Sequence, residues 1–473
     1  MIKPKSDNNQ LTFCSTFEEQ LDKKHPLYVL SNKINWKIFE DCFKKYYHET
    51  MGSPAKPIRM MVGLILLKHL RNISDESVVE QWSENSYYQY FCGETKFKCS
   101  APCASSELVH FRDRIGEKGI ELIFQESIRI ANEISANKKK SKNDNSNDKG
   151  NKTQPSEEDV IIDTTVQEKN ITFPTDDKLY RSIIKKCLKI SKKEKIRLRQ
   201  SYKRTIKKLS YQQRFKKSKK QIHLSKRAAR KIKTIAGRLV RELCRKITPS
   251  QLEKYWTDIE IFKRVLYQKR EDKNKIYSIH EPHTECISKG KAHKKYEFGN
   301  KVSIIIGKTK GVILGALSMS KNDYDGHTLP KAIEQFQKIN AYSPKRAIVD
   351  LGYKGVNTIG ETQIIRPESG KGKSKYLRRK MRNDQRRRAG IEGKISHLKN
   401  DYRMIKNYYK GIKGDIMNVF LAASALNLKM WINNYKRRLK YFCLNLLMTL
   451  KIIFEQCLTG KSKIYASKLL FKG

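Results

Sequence analysis

The chain has 473 residues, enough for two or three domains, and 38% of them are hydrophobic, which supports real cores and excludes a disordered tail. Lys+Arg number 100 against 48 Asp+Glu, a formal net charge of +52, and a compact protein tolerates that self-repulsion best against a polyanion; nucleic acid is the leading partner. The opening MIKPKSDNNQLTFCS lacks the apolar core of a signal peptide, and YFCLNLLMTLKIIF, interrupted by Asn445 and Lys451, falls short of the roughly 20 residues a membrane span requires, so it reads as a docking helix and no membrane partner is expected.

Ten cysteines are scattered without regular spacing, which points to a reducing, cytoplasmic compartment. Two clusters, Cys92/Cys99/Cys103 and His280/His283/Cys286, lack the paired short spacing of a zinc finger, and structural zinc is not expected.

Residues 1–136 read as a helical domain. In GSPAKPIRMMVGLILLKHLRNIS, Ser53 is placed to cap a helix with Pro54 at its first position, and the apolar run is too wide for a surface stripe; it predicts the central helix of a bundle. SDESVVEQWSENSYYQYF and SSELVHFRDRIGEKGIELIFQESIRIANEI follow as amphipathic helices. Arg112 and Arg114 are candidate DNA contacts, although solvated faces around a bundle explain them equally well.

Residues 137–159 have the composition of a flexible linker. From 160 to 435 a second domain begins with the strand DVIIDTTVQ, and then a Lys/Arg-crowded helical insertion spans 178–275. That insertion either runs along phosphates or forms a hairpin that pairs two subunits. EFGNKVSIIIGKTKGVILGALSMS predicts a β-hairpin about KTKG. A helix over 328–340, the strands RAIVDLGY and TQIIRP, a basic Gly/Ser loop and a helix from about Asn383 complete the domain, and 436–473 reads as a basic tail.

Asp163 interrupts an apolar, β-branched run, and Asp350 ends another, followed by Gly352 for a sharp exit. A buried carboxylate is costly unless it caps a turn, pairs with a base or holds a metal, and capping is the simpler reading for either aspartate alone. Arg388, Glu392 and Lys399, spaced by four and seven, share one helix face, as they would on any salt-bridged surface helix. Together, however, two strand-borne aspartates and a helix-borne glutamate in so basic a chain match the needs of two divalent cations at a phosphodiester. Hard oxygen donors favour Mg2+ or Mn2+. Asp325 and His327, at a strand-to-helix junction, are expected to flank the site, with Asp325 or Thr328 capping the helix and His327 less suited to direct catalysis. His397 falls off the Glu392 face.

These residues carry a family resemblance. LILLKHLRNISDESVVEQWSENSYYQYFCGE, DTTVQEKNITFPTD, SIHEPHTECISKGKAHKKYEFGNKVS, DYDGHTLP and DLGYKG resemble the DDE transposases of bacterial insertion sequences, in the branch grouping the insertion-sequence four and five families. The resemblance implies an α/β, ribonuclease H-like core, a mixed sheet flanked by helices, with an all-helical N-terminal domain that binds element ends. It implies that Asp163, Asp350 and Glu392 are the triad holding two metal ions. It also implies a homodimer on DNA that cleaves double-stranded DNA at terminal inverted repeats and joins the 3′ ends to target DNA. Around the glutamate, Arg388, Glu392 and Lys399 match a Tyr-x2-Arg-x3-Glu-x6-Lys signature as phosphate contacts, but Gln385 stands at the tyrosine position. Two rivals use the same residues: a metal-dependent nuclease without strand transfer, and an inactive DNA-binding relic.

Overall fold

The computed structural model describes residues 16–48, 54–140, 158–215, 219–288, 294–369 and 371–459. Seven helices come first: α1 (Phe17–Gln20), α2 (Pro26–Lys33), α3 (Trp36–Lys44), α4 (Ile58–Arg71), α5 (Asp75–Glu84), α6 (Ser86–Phe91) and α7 (Ser105–Lys140). As the wide apolar run requires, α4 is central, with every residue from Met60 to His69 buried. Its start differs from the expected one. Pro57, not Ser53, is the N-cap; a proline disfavours helical backbone at the residue before it, so Lys56 and Pro54 stay outside the helix. Ser53 lies outside the described residues. Asn72 ends α4 in the left-handed region, and Ser74 then caps α5 by accepting from the Ser77 N–H.

A kink at Gly116, with φ of 62°, divides α7, which runs on to Lys140 rather than stopping at 136. Most of the expected linker, 141–157, lies outside the described residues. β1 (Asp159–Lys169) leads into the insertion, built from α8 (Asp176–Lys193), α9 (Lys203–Gln212), a 3-10 turn (Gln213–Phe215), α10 (Ile222–Lys246) and α11 (Pro249–Tyr267). The chain then returns through β2 (Glu285–Ser288), β3 (Tyr296–Gly307), β4 (Ile313–Ser318), α12 (Asp325–Asn340), β5 (Arg346–Ile348), β6 (Thr358–Ile359), β7 (Thr362–Ile365), α13 (Lys375–Asp401), β8 (Lys406–Asn407) and α14 (Gly411–Thr459).

The strands form one mixed sheet in the order β2-β3-β1-β5-β7-β6, with β4 also on β3 and β8 also on β1. The expected hairpin is β3–β4, and Gly311 in its turn takes φ of +68°, a conformation that costs other residues dearly. β1 is central: antiparallel to β3, parallel to β5. The described part of the expected tail is helix, because α14 continues unbroken to Thr459. Its first half is wholly buried from Met417 to Leu428, packing on α7, α4 and β4. Farther along, Tyr441, Phe442, Leu446, Leu447 and Leu450 are exposed. No described helix is long and apolar enough to cross a membrane.

One continuous hydrophobic core joins the N-terminal helices, the sheet, α12 and α14, from Leu27 to Ile432. The insertion has its own core, centred on Ile183, Ile232, Leu239 and Phe262.

An ion cluster fastens one end of the sheet. Asp159 at the head of β1 accepts from Arg346 Nε of β5 at 2.8 Å and from Lys308 Nζ in the β3–β4 turn at 2.9 Å. Lys308 also reaches Asp384 of α13 at 2.6 Å, and Arg346 lies 3.7 Å from the same carboxylate. The Arg346 hydrogen bond, reinforced by Lys308, holds the Asp159 carboxyl down at about 2 against the opposing effect of burial. A carboxyl depressed on folding stabilises the fold above its unfolded pKa and loses that contribution as pH falls toward its folded one. Asp159→Asn should therefore cost about 1–3 kcal/mol in urea unfolding at neutral pH, and the gap to wild type should shrink as pH drops from about 4 to 2.

Candidate active site

The pairing of β1 with β5 places the two aspartates. Asp159 faces Arg346 and Ile161 faces Ile348, and side chains two residues apart on a strand share a face. Asp163 and Asp350 each follow the last paired residues, Ile161 and Ile348, by two positions. Asp163 is still inside β1, opposite Ile304 of β3, whereas Asp350 sits just past β5 where the chain turns. The local geometry is the same at both: the carboxylate Oδ1 accepts the N–H of the next residue, Thr164 or Leu351, at 2.8 Å. For Asp350 this is turn capping, whereas Asp163 makes the same contact within the strand.

Beneath them lies Tyr353, 1% exposed. Burial, and then the charges of Asp163, Asp325 and Asp350, push its phenol far above the usual range, so it stays protonated. Asp325 does not cap α12. Its Oδ1 instead accepts from Thr164 Oγ1 at 2.9 Å and from Lys301 Nζ at 3.0 Å, which ties the start of α12 to β1 and β3. Thr328 does not cap either, since its hydroxyl donates to the Asp325 carbonyl at 2.7 Å. His327 is exposed and packs edge-on against Tyr324, with ring centroids 5.6 Å apart. Tyr324 itself donates to the Gly352 carbonyl and accepts from the Lys354 N–H at 3.0 Å, bracing the turn after Asp350. A Cβ on Gly326 would come within 2.9 Å of the Lys354 carbonyl, which explains the glycine in DYDGHTL. Sequence reasoning missed Tyr324 and Tyr353, because aromatic residues at loop ends give no periodic signal.

On α13, Ile391 and Leu398 are buried while Arg388, Glu392 and Lys399 lie along one flank. Arg388 Nη1 reaches Asp350 Oδ1 at 3.7 Å, and Lys399 Nζ approaches Glu297 Oε2 at 3.9 Å. Glu392 stands between them and is exposed. Eight residues of helix, about 12 Å of rise, separate it from Asp384 of the ion cluster, and four residues of strand, about 13 Å, separate Asp163 from Asp159. The fit to a metal is partial. The two aspartates supply hard oxygen donors side by side, yet among the described residues no group of three or more His, Cys, Asp or Glu is close enough together to hold an ion. Gln385 is exposed. His397 is exposed too and pairs with Asp401 at 2.6 Å, away from the site.

Arg112 is not a surface contact. It is 4% exposed, gives two hydrogen bonds to Asp75 at 2.8 and 2.9 Å, and lies 4.5 Å over the Tyr409 ring. Lys68 joins the same carboxylate at 2.9 Å. The amphipathic pattern of α7 could not show this, because the partners come from α5 and from the segment before α14. Arg114 is exposed and covers the Tyr47 ring at 4.6 Å. Of the two histidine and cysteine clusters, Cys92 is a buried thiol pushed up by burial, and His283 Nε2 lies 3.1 Å from Asp415. Asp415 and Glu281 also hold the buried Lys169 at the end of β1, at 2.6 and 3.2 Å. Removing one partner of a buried pair strands the other charge, so Arg112→Ala should cost roughly 3–5 kcal/mol of unfolding free energy. Urea titration of the variant against wild type reads this cost directly.

Residues 15–114 match the family model described as "Transposase domain (DUF772)", and residues 256–428 match the model described as "Transposase DDE domain". A curated relative, "Uncharacterized protein ORF8 in nfe locus" of Rhizobium meliloti, is 37% identical over 205 residues, which is 43% of this chain and 91% of that protein. No solved structure matches.

Proposed function

The chain belongs to the DDE transposases, and from that premise we propose that it binds the ends of an insertion sequence, cleaves DNA phosphodiester bonds there and joins the freed 3′ ends to target DNA. The observation that supports this reading is the parallel pairing of β1 with β5, after whose last pair, Ile161 and Ile348, Asp163 and Asp350 each follow by two residues. A ribonuclease H-like core is supported by the sheet itself, in which the antiparallel hairpin β3–β4 lies on one side of a central β1 and the parallel β5 and β7 lie on the other.

DDE domains generally use divalent metal ions. Asp163, Asp350 and Glu392 would hold two Mg2+ or Mn2+ ions, whose chemistry when bound is to activate the attacking oxygen and stabilise the departing one. Asp163 and Asp350 are fixed donors, oriented by the N–H groups of Thr164 and Leu351. Glu392 completes the set by swinging from the exposed flank of α13 toward the strand ends. Arg388 screens Asp350 in the free protein and turns to a phosphate when DNA arrives, and Lys399 takes a second phosphate further along α13. Tyr353 stays neutral beneath the aspartates and so adds no repulsion as a polyanion approaches. Arg114 is a further phosphate contact on the N-terminal bundle, which reads the element ends.

Asp163→Asn, Asp350→Asn and Glu392→Gln should each abolish cleavage and strand joining on a duplex carrying the element end, while duplex affinity in a gel-shift assay stays at the wild-type level. Full cleavage by any of the three would remove that residue from the triad. Cleavage without joining by the unaltered protein would reduce the activity to that of a nuclease. We also assign the exposed apolar stretch of α14 to self-pairing on DNA, because a patch of this kind is costly in a monomer. Light scattering of the protein bound to an element-end duplex should show Leu447→Lys shifting the complex from two protein copies toward one without changing the fold.

A further inference from the structure

The side of α13 turned away from its buried residues Asp384, Ile391 and Leu398 carries a row of bases. Lys375, Arg379, Arg382 and Arg386 follow one another at spacings of four, three and four, which sets them on a single ridge, with Arg378 beside it. All five are exposed, and among the described residues none of them forms an ion pair; Arg382 Nε donates only to the neutral Arg378 carbonyl, at 3.4 Å. Asp384, the one acid in the sequence from 375 to 389, is buried against Lys308. Every residue from Lys375 to Lys380 is exposed, Tyr376 and Leu377 included, so burial lends this part of the helix little support.

The arrangement is unfavourable in the free protein for three reasons. Like charges three or four residues apart on a helix repel. Cations near the start of a helix oppose its dipole, and the first turn of α13 holds no acid to offset them. Past Arg386 the same ridge continues through Gly390 and Gly393, both exposed, with nothing within 4 Å of where a Cβ would stand. Glycine is the poorest helix former after proline, and no described part of the chain uses the space it leaves. A polyanion laid along the ridge relieves the repulsion, and the glycines let its backbone come close to the helix beside Glu392. From Lys375 to Gly393 the ridge runs about 27 Å, the length of about eight base pairs. Duplex DNA fits it better than a single strand does, because a duplex is stiff and more densely charged, whereas single strands are held largely by aromatic stacking and the ridge carries no aromatic residue.

We propose that this ridge is a docking surface for double-stranded DNA, held through its phosphates without reading of sequence and approaching most closely at Gly390 and Gly393. That the polyanion is DNA rests on the transposase reading above; the charge of the ridge does not. The test uses the full chain in metal-free buffer, with a duplex of arbitrary sequence and a single strand of equal length followed by fluorescence anisotropy. Arg379→Gln with Arg382→Gln should lower the slope of log affinity against log salt by about 1.8, at about 0.9 per phosphate contact, while lysine at both positions should keep it. Gly390→Gln with Gly393→Gln should weaken duplex binding although no charge changes, and should raise the thermal midpoint because glutamine is the better helix former. In the unaltered protein, amide exchange over 375–386 should slow when duplex is added. An unchanged slope in the Arg→Gln pair, wild-type affinity in the glycine variant, tighter binding of the single strand, or exchange over 375–386 that duplex leaves untouched would each overturn the surface. Cleavage by Asp163→Asn would sink the triad yet leave the salt slopes as they are, so the two readings fail separately.

Discussion

The candidate site depends on a cluster of opposite charges at the far end of the sheet from it. Asp159, Arg346, Lys308 and Asp384 come from β1, β5, the β3–β4 turn and α13, and together they fix where strand and helix begin to climb. With those origins fixed, the register of β5 on β1 sets where Asp350 stands relative to Asp163. Shifting β5 by one residue against β1 would send Asp350 to the opposite face. The ion pairs are partly shielded, and the hydrophobic run Val160–Ile162 between cluster and site adds a register of its own, with all three residues at most 1% exposed.

Much of this architecture was legible from residue pattern, because burial and period coincide. The apolar breadth of α4, the hairpin around Lys308–Gly311 and the apolar, β-branched strand about Asp163 all read correctly, since each is a local signal tied to a local structure. Reading failed where the reason for a residue lies in another element. Arg112 looked like a solvent-facing base and is instead clamped by Asp75 under Tyr409. The start of α13 was placed near Asn383 because residues 375–382 carry no buried face, and the helix begins at Lys375 under the Ser374 cap. Asp325, expected to cap, hydrogen-bonds across to β1. Pairwise contacts across long stretches of chain leave no period behind.

Two kinds of surface emerge from the same excess of lysine and arginine. Near the sheet, basic groups are matched: Lys301 to Asp325, Lys308 to Asp159, Arg388 to Asp350. In the insertion, whose core is independent of the sheet, Lys186 pairs with Asp258 and Lys254 with Glu194, while Lys178, Arg181, Lys207 and Arg214 line a cleft that no carboxylate lines among the described residues. Charge next to the candidate chemistry therefore organises acids, whereas part of the charge in the insertion lines a cleft. Composition alone gives both regions the same colour.

The buried half of α14 has a consequence for how the molecule comes into being. Met417, Val419, Leu421 and Leu428 sit in the same core as Leu64 and Ile123 of the N-terminal helices, although some three hundred residues of translation separate them. A ribosome must release nearly the whole chain before that core can close. A message cut short ahead of Gly411 would accordingly yield an unsealed bundle and an open sheet, prone to aggregation and degradation, rather than a smaller working enzyme.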